Sequence, residues 1–436
     1  MKIALVNPRF RHQSGDPPLG LAYIAGAVRS ETRADVKIFD STWHHDRERL
    51  SREISDYGPD VLGVYANSAD YVDAQAVCRF GQEQGYYVVA GGPHATILPN
   101  DFDCCADLVV MGEGEHVMSE IVQGWVPTTK IHVFTPQEPY APPTPALDLL
   151  DMNRYMTAWH YLDSVKPGLR GVNILAGRGC LWNCFFCQPT IRELFGKGER
   201  RMSPYGTFLQ MYSLRIKYGA QGVFFHDDTF VSDRDWVFDL CSWIKKFDRF
   251  WLNGIPWGCN ARADCLDEEL LAKMHEAGCR VIHLGIEAAS DRVRNEIYNK
   301  RISKEQIENS VKWSRAAGIN VMGFFMIGAP TETEEEIEDT LRWSRVLHLT
   351  EATFSICTPL PGTFLWSKYV HEQEDGAVYD YHAGGDYFGG VPSNKLKRYQ
   401  LSGLSRFYLR HPGYVASHFR SLTGMRRLVR KIRRFV

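Results

Sequence analysis

Gly177-Arg178-Gly179-Cys180-Leu181-Trp182-Asn183-Cys184-Phe185-Phe186-Cys187 sets three cysteines at C-x3-C-x2-C spacing in the middle of the chain. A loop this short lets each sulfur point inward, so the three can converge on one inorganic cluster, with zinc or inert thiols as the alternatives. Structural zinc closes with four ligands, and this stretch offers three thiols with no histidine among them. An ordinary iron–sulfur carrier takes a fourth cysteine as well. Three thiolates leave one iron of an iron–sulfur cluster open, which suits a cluster that must bind something.

Around this loop lies a chain of 436 residues, long for one domain and comfortable for two or three. Hydrophobic content of 44% and charged content of 23% are those of a soluble globular protein. A net charge of −2 and a pI near 6.7 give no global case for nucleic acid as a partner. No stretch approaches the roughly 20 apolar residues of a membrane span. Met1-Lys2-Ile3-Ala4-Leu5-Val6-Asn7-Pro8 lacks a signal-peptide layout and runs straight into a strand, so a cytoplasmic location is expected. The other cysteines, such as Cys78, Cys241 and Cys357, are scattered and read as buried small apolar residues kept reduced.

Residues 1–125 alternate apolar runs and helical patterns. Strands are expected at 2–6, 36–39, 61–65, 86–90 and 108–111, with helices at 50–57 and 70–84 between them. Such alternation gives a doubly wound parallel sheet, with ligands beyond the carboxyl ends of the strands. Glycines gather at those ends: Gly63, Gly91-Gly92, Gly112 and Gly114. Residues 126–150 are rich in proline and read as an ordered crossover, within a linker at 126–164. From 165 to 370 the alternation resumes, with strands at 172–175, 222–226, 257–260, 281–286, 321–327 and 353–357. This is a partial (β/α)6 barrel whose polar residues, His226, Asp227, Asp228, Arg262 and Glu287, sit at strand ends, where barrel chemistry is found. Asp227 and Asp228 equally suit helix capping; Arg262 equally suits a pair with Asp264; Glu287 at the end of a buried strand is costly unless paired.

The cysteine loop, with aromatic residues between its second and third cysteines, resembles the signature of the radical S-adenosylmethionine (SAM) superfamily. Pro17-Pro18-Leu19-Gly20-Leu21-Ala22-Tyr23, Gly91-Gly92-Pro93-His94-Ala95-Thr96 and Gly112-Glu113-Gly114-Glu115 together are similar to the cobalamin (B12)-binding domain that precedes the barrel in one large subfamily. The resemblance implies an N-terminal Rossmann-like cobalamin domain, a radical SAM barrel and a small helical C-terminal region, 371–436. It implies a [4Fe–4S] cluster on Cys180, Cys184 and Cys187, with SAM on its open iron. Around SAM it implies Asp227 or Asp228, Arg262, Glu287, Ser290, and Gly323 and Gly328 of Gly-Phe-Phe-Met-Ile-Gly-Ala-Pro. Around cobalamin it implies Gly63, Ser68, Gly91, Gly92, His94, Glu113 and Gly114. The Asp-x-His-x-x-Gly pattern of other cobalamin proteins is absent; the subfamily usually lacks it too. His94 is the tempting metal ligand, against a turn histidine satisfied locally.

The resemblance also implies reduction by a flavodoxin- or ferredoxin-type partner. Most relatives of this architecture methylate unactivated carbon or phosphorus with methylcobalamin. The abbreviated linker and small tail are instead similar to an aminoglycoside-tailoring branch, a lyase of antibiotic biosynthesis that removes water from an amino-sugar diol. Redox-neutral dehydration of a small polar substrate, with Asp228, Glu287 or His226 as acid and a downstream NAD(P)H reductase, is therefore the expectation; cobalamin-dependent C-methylation is the alternative. A non-enzymatic cobalamin carrier would not need the cysteine loop. A tRNA-modifying enzyme would bring a further basic module. In the tail, an aromatic–glycine stretch at 379–390 could cover a substrate pocket. Met425, Leu428, Val429, Ile432, Phe435 and Val436 form an apolar stripe among arginines, expected to dock on the barrel rather than on a membrane.

Overall fold

The computed structural model describes residues 1–10, 16–134, 142–187, 198–247, 254–370, 388, 390–419 and 425. The aromatic–glycine stretch, apart from Phe388 and Gly390, and the arginine-rich stripe beyond Met425 lie outside the described residues.

Lys2–Asn7 (β1), Asp35–Asp40 (β2), Val61–Tyr65 (β3), Tyr87–Gly91 (β4) and Leu108–Met111 (β5) form a parallel sheet in the order β2-β1-β3-β4-β5, and Ile131–Val133 (β6) extends it beside β5. β6 lies in the stretch read as crossover, so part of that stretch is sheet; its short half-exposed run, Ile-His-Val, carries too little pattern to announce an edge strand. β1 and β3 are buried on both faces, one packed on helices such as Leu19–Glu31, the other on Tyr71–Glu83. The chain reverses direction from β1, with β2 on one side and β3 on the other, and this opens a crevice at the carboxyl edge.

The second sheet is also parallel and takes its strands in chain order: Gly171–Ile174 (β7), then, past a two-residue ribbon of Gly177–Arg178 (β8) and Arg200–Arg201 (β9), Gly222–Phe225 (β10), Trp257–Ala261 (β11), Cys279–Glu287 (β12), Asn320–Ile327 (β13) and Glu351–Ile356 (β14). Sequential neighbours in one direction give an open, partial barrel. Helices opened by capping boxes at Ser303/Gln306 and Thr333/Glu336 cover its outside. No helix among the described residues is long and apolar enough to cross a membrane.

Alternation along the strands decides what enters the lumen. Val223, Phe225, Ile282, Leu284, Val321 and Phe325 pack outward into the helix-covered core, which leaves Phe224, His226 and His283 facing inward. The amino-terminal end of the lumen is stopped by Trp159, whose indole N–H donates to Asn173 Oδ1 at 2.7 Å. Gly171 and Gly222 make room for it: a Cβ at Gly171 would lie 2.3 Å from the indole, and at Gly222 2.9 Å. The polar end of the barrel is thus the open one. Helix Ser393–Tyr408 closes the outer face of β14, its buried Gln400 donating to the Phe354 carbonyl at 2.8 Å.

Adding a methyl at the plug tests this packing. Gly171→Ala should cost about 1–3 kcal/mol through overpacking, read as a lower midpoint in chemical denaturation. Gly198→Ala, whose Cβ would meet nothing within 4 Å, should stay within about 0.5 kcal/mol of the parent.

Candidate functional site

The cysteine loop is held mainly by backbone. At its entrance β8 pairs with β9, and Gly179 at φ 100° passes so close that a Cβ would lie 2.3 Å from the Gly198 carbonyl oxygen. Buried Asp227 accepts from the Ala176 amide at 3.0 Å. At its exit the Phe185 amide donates to the Tyr298 carbonyl at 2.9 Å, Asn299 Nδ2 donates to the Asn183 carbonyl at 2.7 Å, and the Leu365 amide donates to the Phe185 carbonyl at 3.2 Å. Phe185 packs on Phe364, centroids 4.0 Å apart, and Phe186 meets the edge of Tyr298 at 5.3 Å. The aromatic residues between the cysteines are the anchors, and the thiols are left for ligation.

Burial pushes all three thiols up, Cys187 to about 12, with Asp228 and the neighbouring cysteines adding to the rise at Cys187. Three thiols that discourage one another's ionisation suit a cationic group, which removes that repulsion when it binds. Among the described residues no three such side chains converge tightly enough for one ion; a cubane asks for one thiolate per iron instead. Cys184 also has cationic neighbours. Arg262 lies over the Trp182 ring at 4.3 Å, its Nη1 3.7 Å from Cys184 Sγ, its Nη2 donating to the Lys300 carbonyl at 2.9 Å. Lys300, buried, pairs with Glu287 at 2.5 Å. Both cations draw the Cys184 thiol down against its burial. Glu287 takes φ 64°, where the β12–β13 register shifts, so a bulge re-aims the carboxylate toward Lys300.

On the other side of the loop lies a cleft of about 400 Å³ between the two sheets. Gly63, Gly91, Gly92, Gly112 and Gly114 line one wall with Tyr65, Thr96 and Met118; Leu175, Arg178 and Asp228 line the other. Arg178 stands two residues before Cys180. It pairs with Glu113 at 2.9 Å and Glu115 at 2.5 Å, while Arg200 pairs with Glu113 at 2.5 Å. Burial alone would raise the Glu113 carboxyl; the Arg200 and Arg178 guanidiniums overcome it and hold the group below the usual carboxylate range. Asp228 opens onto the cleft but is crowded by protein, and desolvation, then Asp227 and Glu199, push its carboxyl up to about 7. Asp227 is pushed up by burial to about 6. Neither aspartate caps the next helix; Asp233 does, accepting from the Trp236 amide.

The other sequence-derived candidates divide. Arg262 and Glu287 join the cluster loop, Arg262 pairing with Asp264 at 3.1 Å as well. His226 is exposed on the lumen side of β10, edge-on to Tyr161 at 5.6 Å. Gly91 opens into the cleft, its nearest Cβ contact 3.8 Å away. Gly92 serves its turn, because at φ 104° a Cβ would lie 2.7 Å from the Ala66 carbonyl. Glu113 is an interdomain ion-pair partner. Ser68 and His94 do not line the cleft: buried His94 has Nδ1 3.2 Å from Ser68 Oγ and Nε2 2.9 Å from Asp101, and stacks on Tyr71. As a metal ligand His94 is therefore replaced by a satisfied core histidine. Ser290 donates to Glu336 at 2.8 Å. Gly323 faces the helices, a Cβ there meeting Leu349 at 2.6 Å, and Gly328, at φ 80°, donates its amide to buried Glu332. Gly323 supports core packing and Gly328 a turn. Lys300, Arg178 and Arg200 were not singled out from sequence; the unpaired strand-end carboxylate Glu287 was the signal that a cation had to be near.

Residues 15–122 match the B12 binding domain and residues 174–344 the radical SAM superfamily. Over 378 residues the chain is 33% identical to an uncharacterised methyltransferase of Pyrococcus horikoshii, covering 81% of this chain and 78% of that one. The chain belongs to the radical SAM superfamily. It is 26% identical to the cytidylyl-2-hydroxyethylphosphonate methyltransferase of Streptomyces wedmorensis, covering 85% of this chain and 82% of that enzyme. Its fold is that of the radical SAM methyltransferase TsrM of Kitasatospora setae, solved with cobalamin and a [4Fe–4S] cluster, at a TM-score of 0.68, 19% identity and coverage of 84% and 73%. The cofactors of this radical SAM protein are accordingly a [4Fe–4S] cluster, SAM and cobalamin. The residues present fit them: three thiols beside two cations for the cluster, and a glycine-walled cleft between the domains for the corrinoid.

Two substitutions probe this geometry. Arg178→Met leaves Glu115 buried without this cation and should cost about 3–5 kcal/mol, read by denaturation. For Asp228 the folded carboxyl ionises near 7, above its unfolded value, so the unfolded state holds fewer protons and stability falls as pH rises between those values. In cofactor-free protein Asp228→Asn should therefore raise the thermal midpoint over the parent by a margin that grows from about pH 4 to pH 7 and then levels off.

Proposed function

We propose that this radical SAM protein is a cobalamin-dependent methyltransferase acting on a small-molecule substrate. The observation that carries the reading is the shared cleft: its far wall holds the strand-end glycines of the first sheet, its near wall Arg178 and Asp228 beside the cysteine loop. A corrinoid seated there would face the open end of the barrel. The methyltransferase relatives named above support methyl transfer over the dehydration expected from the short linker and tail. Part of that linker is sheet, which removes one ground for the comparison with the dehydratase branch.

When bound, the cluster with SAM supplies a carbon-centred radical that takes a substrate hydrogen, and cobalamin supplies the methyl group. The chain's own residues do the positioning. Cys180, Cys184 and Cys187 hold the cluster; Arg262 and Lys300 offset thiolate charge near Cys184. Arg178, clamped by two glutamates, fixes the spacing between cleft and loop. Trp159 stops the lumen from below, so substrate enters at the polar end and water is kept from the far side. Just past the carboxyl end of β10, Asp228 lines the cleft and His226 stands beside Tyr161 in the lumen. Neutral Asp228 can donate a hydrogen bond to a substrate oxygen, and His226 can accept or return a proton.

Reconstituted protein given cob(I)alamin and SAM should form methylcobalamin and S-adenosylhomocysteine without any substrate. Gly91→Leu, whose side chain would enter the cleft, should fold yet lose corrinoid absorbance and this half-reaction. Cys180→Ala, Cys184→Ala and Cys187→Ala should each abolish 5′-deoxyadenosine formation; Cys78→Ala and Cys241→Ala, both buried away from the loop, should not. A chain that makes 5′-deoxyadenosine but neither retains corrinoid nor releases S-adenosylhomocysteine would sink the methyltransferase reading.

A further inference from the structure

Acidic residues run out near the carboxyl end of this chain. Residues 391–436 hold 12 of its 50 Lys and Arg and none of its 52 Asp and Glu, so this stretch carries +12 and the remainder −14, against a net charge of −2. A separation this large marks a surface suited to an anionic partner. Elsewhere in the chain carboxylates outnumber the cations; in this stretch every cation must find its carboxylate on another element or go without.

Helix Ser393–Tyr408 shows what the stretch presents. Leu396, Gln400, Gly403 and Phe407 recur at helical spacing and are buried, with Gln400 donating to the Phe354 carbonyl. Their direction fixes the opposite row of the helix, Arg398, Leu401, Ser405 and Leu409, and all four are exposed. Leu401 is 43% exposed and Leu409 80%, the most open large apolar side chain among the described residues. On the flanks Lys395 pairs with Glu334 and Arg406 with Glu338. Lys397, Arg398 and Arg410 are exposed and make no ion pair among the described residues. Helix Pro412–His418 follows, and Phe419 beyond it is 59% exposed. The sequence after Phe419 adds seven cations and the apolar stripe from Met425 to Val436.

Apolar side chains standing among unmatched cations suit an interface that is anionic at its surface and apolar just beneath. Nucleic acid would answer the charge and leave Leu401, Leu409 and Phe419 in water. We propose that the outer row of helix Ser393–Tyr408 and the residues that follow it hold this protein on the surface of an anionic lipid bilayer. Leu401, Leu409 and Phe419 enter the headgroup boundary, and Lys397, Arg398, Arg410 and the later arginines meet lipid phosphates. Where the sequence alone favoured docking of the 425–436 stripe on the barrel, this exposed row favours the bilayer. The helix runs against β14: Leu396 packs with Ile327 and Ile356, the last residues of β13 and β14, while Tyr408 donates to the Ala352 carbonyl and Tyr414 to Glu351 at the start of β14. Leu409 and the residues after it therefore sit toward the end of the barrel that Trp159 plugs, and attachment there leaves the open end and the cleft clear. The attachment does not depend on which reaction the site performs.

Reconstituted full-length protein sedimented with vesicles of phosphatidylcholine, alone or with an equal part of phosphatidylglycerol, tests the surface. The parent should partition onto the anionic vesicles about tenfold more strongly or better, and high salt should remove most of that preference. Lys397→Glu with Arg398→Glu should weaken anionic-vesicle binding by about tenfold or more. Leu401→Ser with Leu409→Ser, which leaves the charge untouched, should weaken it several-fold. Both variants should keep the parent's thermal midpoint and its vesicle-free 5′-deoxyadenosine formation, because none of the four side chains is buried or lines the cleft. Equal partitioning of the parent onto both vesicle types would overturn the proposal, and so would parent-like binding by both variants. Tighter binding of a transfer RNA than of the anionic vesicles, unchanged in the Leu401→Ser, Leu409→Ser variant, would assign the cations to nucleic acid and overturn it as well.

Discussion

Two guanidiniums, those of Arg178 and Arg200, tie the cysteine-bearing half of this protein to the acids of the first. Arg178 leaves the chain two residues ahead of Cys180 and reaches back to Glu113, in the turn after the fifth strand of the first sheet, and to Glu115, which opens the next helix. Arg200, from the facing ribbon strand, takes the other side of Glu113. Desolvating four charges is costly, and an apolar contact of equal area would hold the halves at least as firmly. What an apolar contact lacks is direction. Charge-assisted hydrogen bonds fix both distance and angle, and here they fix the wall of the cleft that faces the cysteine loop.

The same distinction runs through the loop. Its outer attachments are peptide hydrogen bonds, at Ala176, Phe185 and Leu365, together with ring packing at Phe185 and Phe186. A loop anchored through its backbone can devote its side chains to ligation without loosening. Cys184 illustrates the balance. Burial alone would keep it protonated, and Lys300 and Arg262 oppose that burial, while Glu287 moderates Lys300. The cations are themselves buried, so each is held by a carboxylate: Lys300 by Glu287, Arg262 by Asp264. The thiol face is therefore a balanced set of charges.

The architecture was legible because strand and helix patterns alternate without a long interruption, and the glycines and acids stand at strand ends in both halves. The cysteine spacing located the cluster site, and the strand-end acids located Asp228 and Glu287. What escaped is governed by side-chain direction. Gly-Phe-Phe-Met-Ile-Gly is apolar throughout, so no period-two signal says whether Gly323 faces the lumen or the helices; the structure turns it outward, against Leu349. Glu113 lines the cleft as a ligand-facing acid would, but its partner Arg200 lies 87 residues away, beyond the reach of local pattern. For His94 the reading as a locally satisfied histidine holds, but through side chains rather than backbone: Asp101, beyond Pro99 on a different element, engages it.

The barrel's closed end explains why the cleft, rather than the lumen alone, matters for access. Trp159 fills the amino-terminal mouth only because Gly171 and Gly222 carry no side chain, and its indole N–H is satisfied by Asn173, so the plug is polar-saturated and tightly packed. With that end shut, every group that reaches the lumen arrives at the carboxyl ends of the strands. There the first sheet presents its glycines across the cleft, and Asp228 stands on the boundary, belonging to the barrel by sequence and to the cleft by exposure. Desolvation comes first in pushing its carboxyl up to about 7, and the charges of Asp227 and Glu199 add to the rise. Near pH 7 a share of Asp228 therefore keeps its proton, and that share can donate a hydrogen bond on the cleft between the two halves of the protein.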